Sequence, residues 1–200
     1  VDKTYLDEIL LKDDPNIVEK VELEKSKYAG FELKGKNLGI IGLGAIGGLV
    51  ANTAVELGMN VFGYDPYISI THAWGLSKNI TRVTTLESLY ELSDVITIHV
   101  PLKEDTKDMI NSDALAKMKD GVVLVNTSRG GLVKTSDLID GIRAKKFFGI
   151  GLDVYEEETK NVFEDRSNEI LETSITSRLL SFPNVVITSH QGFFTEEALA

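Results

Sequence analysis

From residue 31 onward, apolar positions come in short consecutive runs rather than in alternation. The runs are Leu38–Ile41, Val61–Tyr64, Val95–Val100, Val122–Val125, Phe148–Leu152 and Val185–Ile187, most of them rich in β-branched residues. Strands covered on both faces read this way, which points to a parallel sheet. Amphipathic stretches separate the runs. "AIGGLVANTAVELG" follows the first, and "TLESLYELS", "NSDALAKMK" and "KTSDLIDGIRAKK" precede the third, fourth and fifth. Strands alternating with helices predict right-handed βαβ units and a doubly wound α/β fold.

Two segments depart from this rhythm. Residues 1–30 are charged and only patchily apolar, with Pro15 between two predicted helical pieces. They form no compact unit alone and read as a connector arm, leaving 31–200 as the main domain. "YEEETKNVFEDRSNEILETSITSRLLSF", between the fifth and sixth runs, is long, acidic and polar. It reads as a solvated excursion with a helix at its end.

Composition narrows the function classes. The 200 residues are 42% hydrophobic and 26% charged, a balance that builds a core and does not read as disordered. A net charge of -10 disfavours a nucleic-acid or anionic-membrane surface, though not a local anion pocket. Without cysteine there is no disulfide, thiolate metal site or Cys nucleophile, and no metal site is expected. No apolar run spans a bilayer, so a cytoplasmic protein is the default expectation. The chain opens on Val1 rather than Met, which reads as a piece of a longer protein.

Candidate chemistry begins at Gly42-Leu43-Gly44-Ala45-Ile46-Gly47. A buried run precedes this G-x-G-x-x-G and a helix follows. A second run then ends in Asp65, 18 residues past Gly47. Gly42 permits a tight turn, Gly44 lets backbone approach a pyrophosphate, and Gly47 lets the helix pack close to the sheet. The helix N-terminus offers free N–H groups to phosphate. Asp65 would accept hydrogen bonds from ribose hydroxyls and repel a 2′-phosphate, which favours NAD over NADP. The alternative is an ordinary tight turn between strand and helix.

Three polar groups follow later runs: Arg129 after "VVLVNTS", Asp153 with Glu156, Glu157 and Glu158 after "FGIGLDV", and His190 after "NVVITS". Ligands of open α/β sheets sit beyond the carboxyl ends of strands, where these residues would stand. A guanidinium is a planar fork for a carboxylate, and an imidazole is an acid or base near neutral pH. A carboxylate against that imidazole would orient it and favour its charged form. Beside a nicotinamide, the set reads as hydride transfer to a 2-oxo acid. His99 also closes a run, where it would line the adenosine side or serve structure alone. His72 and Trp74 are placed in a loop with no role.

In this order, "GLGAIG", "YDP", "HVPL", "NTSRGGLV", "GLDVYEEE" and "SHQGFFTEEAL" resemble the D-isomer-specific 2-hydroxyacid dehydrogenases, over nearly the whole chain. The resemblance implies a Rossmann NAD-binding domain and a small 2-oxo or 2-hydroxy acid as partner. It makes Arg129 the binder of the substrate carboxylate, Glu158 the acid paired with the histidine, and His190 the acid/base. It implies cofactor contacts at Ala45, Ile46, Asp65, Val100, Pro101, Thr106, Thr127, Ser128 and Asp153, and a homodimer formed through this domain. The first half is most similar to phosphoglycerate dehydrogenases and the second to D-lactate dehydrogenases. Phe193 and Phe194, near His190, would wall a small apolar acid, and few basic residues stand there to hold a phosphorylated one. A D-lactate-like substrate is therefore favoured. Family members carry a substrate domain that this chain lacks, so little activity is expected of it alone. A non-catalytic NAD-sensing module, like the corepressor relatives, is the competing reading. Oxidation of formate is a third, and "HQGFFTEEAL" does not match it.

Overall fold

In a computed structural model the structure describes residues 29–156, 175–188, 190–192 and 194–199, together with Asn16 and Glu19. The chain divides into two compact units, Val1–Leu33 and Lys34–Ala200. The helical pieces expected around Pro15 lie outside the described residues. The second unit is built on seven parallel strands: β1 Asn37–Ile41, β2 Asn60–Tyr64, β3 Ile80–Arg82, β4 Val95–Ile98, β5 Val122–Asn126, β6 Phe147–Leu152 and β7 Val185–Ile187. Their order across the sheet is β3-β2-β1-β4-β5-β6-β7. The helices are α1 Ala45–Glu56, α2 Ile70–Trp74, α3 Leu86–Leu92, α4 Ser112–Lys117, α5 Thr135–Arg143, α6 Ile175–Leu180 and α7 Glu196–Leu199.

The consecutive apolar runs have a direct physical cause. Neighbouring residues of β1 point to opposite faces, and both faces are covered. Ile40, 0% exposed, joins a core with Leu38, Val61 and the α1 residues Ala51 and Ala54. Ile41, 1% exposed, joins a larger core with Ile96, Ile98, Leu124, Ile150 and residues of α3, α4 and α5. Each fully buried aliphatic side chain contributes about 1.5–3 kcal/mol relative to exposure. Capping sets where the second-face helices begin. Thr85 accepts from the Ser88 amide at 3.2 Å to start α3, and Asn111 accepts from Asp113 and Ala114 at 3.1 Å to start α4.

Two elements differ from the sequence reading. The short edge strand β3, with Ile80 half-buried and Thr81 and Arg82 exposed, presents no apolar run. His72 and Trp74 stand in the single-turn helix α2, not a loop. Ser69 caps that turn by accepting from the His72 amide at 3.2 Å. The helix expected at the end of the acidic excursion is α6, and residues 157–174 of that excursion lie outside the described residues.

The chain winds outward from the centre in both directions. One branch runs β1-β2-β3 and the other β4-β5-β6-β7. The loops after β1 and β4 therefore part at adjacent strand ends and open a crevice between them, the place where α/β sheets of this kind receive ligands.

Candidate functional site

The glycine turn closes the crevice at its base. Gly42 follows β1 with φ of 91° and donates its N–H to the Tyr64 carbonyl at 2.8 Å. A Cβ there would stand 2.7 Å from the His99 carbonyl oxygen, so a side chain is excluded by conformation and by space. A Cβ on Gly47 would stand 1.9 Å from the Gly42 oxygen, which shows how closely α1 starts against the strand end. Gly44 is the opposite case: a Cβ there meets nothing within 4 Å. Gly44 is also the N-cap of α1, with no side-chain capping bond and no acidic residue in the first turn. The positive helix end thus faces open space at Gly44, as a bound pyrophosphate requires. Ala45 and Ile46 lie exposed on that first turn.

A cavity of about 500 Å³ extends from this turn, lined by Gly42, Gly44, Asp65, Val100, Pro101 and Thr106 among others. It unites six of the expected cofactor contacts. The Asp65 carboxylate is fixed by two backbone donors, Leu43 N to Oδ2 at 2.9 Å and Tyr67 N to Oδ1 at 2.8 Å. Each oxygen keeps a lone pair for a further donor such as a ribose hydroxyl. Thr106 stiffens the facing loop, donating to the Pro101 carbonyl at 2.7 Å and accepting from the Lys103 amide at 2.8 Å. His99 lines the cavity, with Nε2 3.0 Å from the Thr97 hydroxyl. Burial pushes its pKa below the ordinary histidine value, so the ring is neutral at pH 7. His72 of α2 lines the same cavity, a placement sequence reasoning missed.

The second half of the rim is organised by two buried polar residues at adjacent strand ends. Asn126 closes β5 at 0% exposure. Its Nδ2 donates to the Arg129 carbonyl at 2.9 Å, and its Oδ1 accepts from the Ser128 amide at 3.0 Å. The Ser128 hydroxyl donates to the Val100 carbonyl at 2.6 Å, which ties this turn to the loop after β4. Of the expected contacts Thr127, Ser128 and Arg129, Ser128 is thus bonded to a residue that lines the cavity. The exposed Arg129 guanidinium turns one Nη1 donor back to the Ser128 carbonyl at 2.6 Å. A Cβ on Gly130 would stand 2.2 Å from the Tyr155 carbonyl carbon, so this turn lies flush on the chain leaving β6.

Asp153, just past β6, is the second organiser, and its own amide donates to the Asn126 carbonyl at 3.0 Å. The resemblance makes Asp153 a cofactor contact. In the structure the residue is 6% exposed, and its carboxylate accepts hydrogen bonds from the segment around His190. Oδ1 accepts from the Thr188 hydroxyl and from Gln191 N at 2.9 Å, and Oδ2 accepts from Gly192 N at 3.0 Å. Burial alone would raise its pKa. The bonds from Thr188, Gln191 and Gly192 and the nearby His190 outweigh burial and hold it below the ordinary aspartate range. His190 has φ of 57°, a left-handed conformation uncommon for a residue with a side chain. Glu158 and Phe193 lie outside the described residues. Among the described residues no three His, Asp or Glu side chains gather as a metal site, and no helix is long and apolar enough to cross a membrane.

Asn126 and Thr188 were not legible as site residues. Asn126 had one signal, a polar residue closing an otherwise apolar strand.

Comparison with known proteins agrees with this geometry. A family model described as the NAD-binding domain of D-isomer specific 2-hydroxyacid dehydrogenases matches residues 13–192. The chain therefore belongs to the D-isomer specific 2-hydroxyacid dehydrogenases, as their NAD-binding domain. A 2-hydroxyacid dehydrogenase homolog of Haemophilus influenzae is 43% identical over 171 residues, 85% of this chain and 50% of the relative. An aromatic 2-oxoacid reductase of Clostridium sporogenes is 38% identical over 190 residues, 93% of this chain and 56% of the relative. The structure of D-lactate dehydrogenase from Aquifex aeolicus, complexed with NAD and lactic acid, superposes with a TM-score of 0.75 at 32% identity, covering 99% of this chain and 60% of that one. The chain thus spans about half the length of the curated relatives it matches.

Proposed function

We propose that this chain is the cofactor half of an enzyme that interconverts a 2-oxo acid and a D-2-hydroxy acid, with a D-lactate-like substrate. The observation that carries this reading is the pairing of two buried organisers at the ends of adjacent strands: Asn126 holds the Arg129 turn and Asp153 holds the His190 segment. The Gly44 approach, the first turn of α1 and the Asp65 carboxylate fit the pyrophosphate and ribose of NAD. NAD bound there supplies the acceptor or donor of a hydride.

The chain's own residues do the rest. Arg129 offers its fork to the substrate carboxylate and fixes which face of the carbonyl is presented. His190 gives a proton to the carbonyl oxygen during reduction and takes it back during oxidation. Glu158, assigned through the family likeness, orients the imidazole. Lactic acid in the matching Aquifex structure supports the small substrate. A homodimer in the cytoplasm belongs to the same reading, supported by the family likeness.

The test joins this chain to the substrate half of a relative and follows NADH oxidation with pyruvate, phenylpyruvate and a phosphorylated 2-oxo acid. The expected result is turnover with pyruvate and a product of D configuration. An L product, or turnover only with the phosphorylated acid, overturns the reading.

A further inference from the structure

One residue beyond the Arg129–Glu158–His190 set acts on the same chemistry. Thr188 follows β7, its amide donating to the Leu152 carbonyl at 3.0 Å and its hydroxyl to Asp153 Oδ1. Asp153 also takes the amides of Gln191 and Gly192 on its carboxylate, at 2.9 and 3.0 Å, and the amide of His190 on its backbone carbonyl. One residue of the β6 end therefore grips the chain on both sides of His190. That grip matters because His190 sits at φ of 57°, a conformation that persists only when its surroundings over-determine it.

Thr188 is the side-chain donor in this set. The torsion that swings a carboxylate is soft and has no sharp preferred angle. With the hydroxyl on Oδ1, rotation would break a bond from each direction at once. Without it, the carboxylate can turn and release the Gln191 and Gly192 amides. Gly192 lies close against the same group, where an added Cβ would stand 3.0 Å from Asp153 Oδ2.

We propose that Thr188 is a positioning residue that, through Asp153, holds His190 in its left-handed conformation at the catalytic rim. The proposal rests on the function argued above for what His190 does, but not for where it is held. Thr188→Val keeps the shape and removes the donor, whereas Thr188→Ser keeps the donor. In the 200-residue chain, the His190 amide–Hα coupling and Cα shift report its φ by NMR. Hydrogen exchange at Gln191 and Gly192 reports the clasp. The expected result for Thr188→Val is a His190 signal moved toward ordinary negative-φ values and exchange about tenfold faster or more, the loss of one charge-assisted bond. Thr188→Ser keeps both signals.

Joined to a substrate half, the valine variant should lose about tenfold or more in kcat with NADH affinity unchanged, and the serine variant should recover it. His190 signals and exchange rates unmoved by valine overturn the proposal. If the joined protein reduces no 2-oxo acid even with Thr188 present, the function reading fails, and the NMR signals still decide the clasp.

Discussion

Substituting alanine at two glycines three residues apart should separate fold from ligand binding. At Gly47 the new Cβ would stand 1.9 Å from the Gly42 carbonyl oxygen, a backbone atom that cannot swing aside. Replacing a helical glycine gains about 0.8–1 kcal/mol of helix propensity. Forcing α1 off the turn costs about 1–3 kcal/mol or more, and with backbone on the far side the cost lies at the upper end. The net is destabilising. At about 2–4 °C per kcal/mol for a domain of this size, Tm should fall several degrees. At Gly44 the Cβ meets nothing, so the only loss is a poorer N-cap, about 0.5–1 kcal/mol. The same methyl, however, stands where phosphate must approach the first N–H groups of α1. Each charge-assisted bond lost there is worth about 1.5–3 kcal/mol, so NADH should bind roughly 10- to 150-fold more weakly. Thermal unfolding and NADH titration on the same preparations check both halves. A Gly44→Ala protein that melts as low as Gly47→Ala, or that binds NADH like the parent, refutes the reasoning.

Lys145 offers an independent test of the backbone. Helix α1 ends in a Schellman turn with Gly58 at φ of 79°, its N–H bonding Val55 O and the next bonding Ala54 O. Helix α5 ends in the same pattern through Ile142 O and Gly141 O, but with Lys145 at φ of 59°. Lys145→Gly should therefore raise stability by about 1 kcal/mol in urea unfolding, and a loss would show that the lysine makes a compensating contact. His99, held by burial below its ordinary value of 6.5, is neutral when folded. The unfolded chain then binds the extra proton, so stability tied to this ring is present above about pH 6.5 and is lost as pH falls through the folded value. His99→Gln should flatten that decline between pH 7.5 and 5, and an unchanged decline would place its origin elsewhere. Arg129→Lys in the joined enzyme should cut kcat/KM for pyruvate by about tenfold or more, because the charge survives but the fork does not, with NADH affinity held. An equal fall in NADH affinity would make Arg129 a cofactor or structural residue.

What could be seen in the sequence follows from physical locality. Strands buried on both faces write themselves as consecutive apolar residues, so β1, β4 and β5 were legible. The edge strand β3, with Thr81 and Arg82 exposed, leaves no such trace. Helix α2 is a single turn with no buried residue, too short to show a helical period. Gly42 and Gly47 were legible because each answers a local steric demand, and Gly44 because its spacing from them completes the motif. Arg129 and His190 were legible as polar residues that follow apolar runs. What holds those two residues was not. The bond from Ser128 to Val100 crosses 28 positions, and that from Gly192 to Asp153 crosses 39. Partners so distant form no periodic pattern, and only the sheet order brings them together. For the same reason nothing in the sequence shows that the Asp153 carboxylate holds the Gln191 and Gly192 amides.

The central claim is that NAD lies along this rim, from the uncapped start of α1 to the Asp65 carboxylate. The most direct measurement is a titration of the 200-residue chain with NADH and NADPH under identical conditions. Leu43 and Tyr67 hold Asp65 in place at the end of β2. A 2′-phosphate would meet that fixed negative charge, and like charges about 4 Å apart near a protein surface cost about 4 kcal/mol, enough to weaken binding tenfold or more. Saturable NADH binding with NADPH at least tenfold weaker is the predicted result. Equal affinities, or no binding of either, would contradict it.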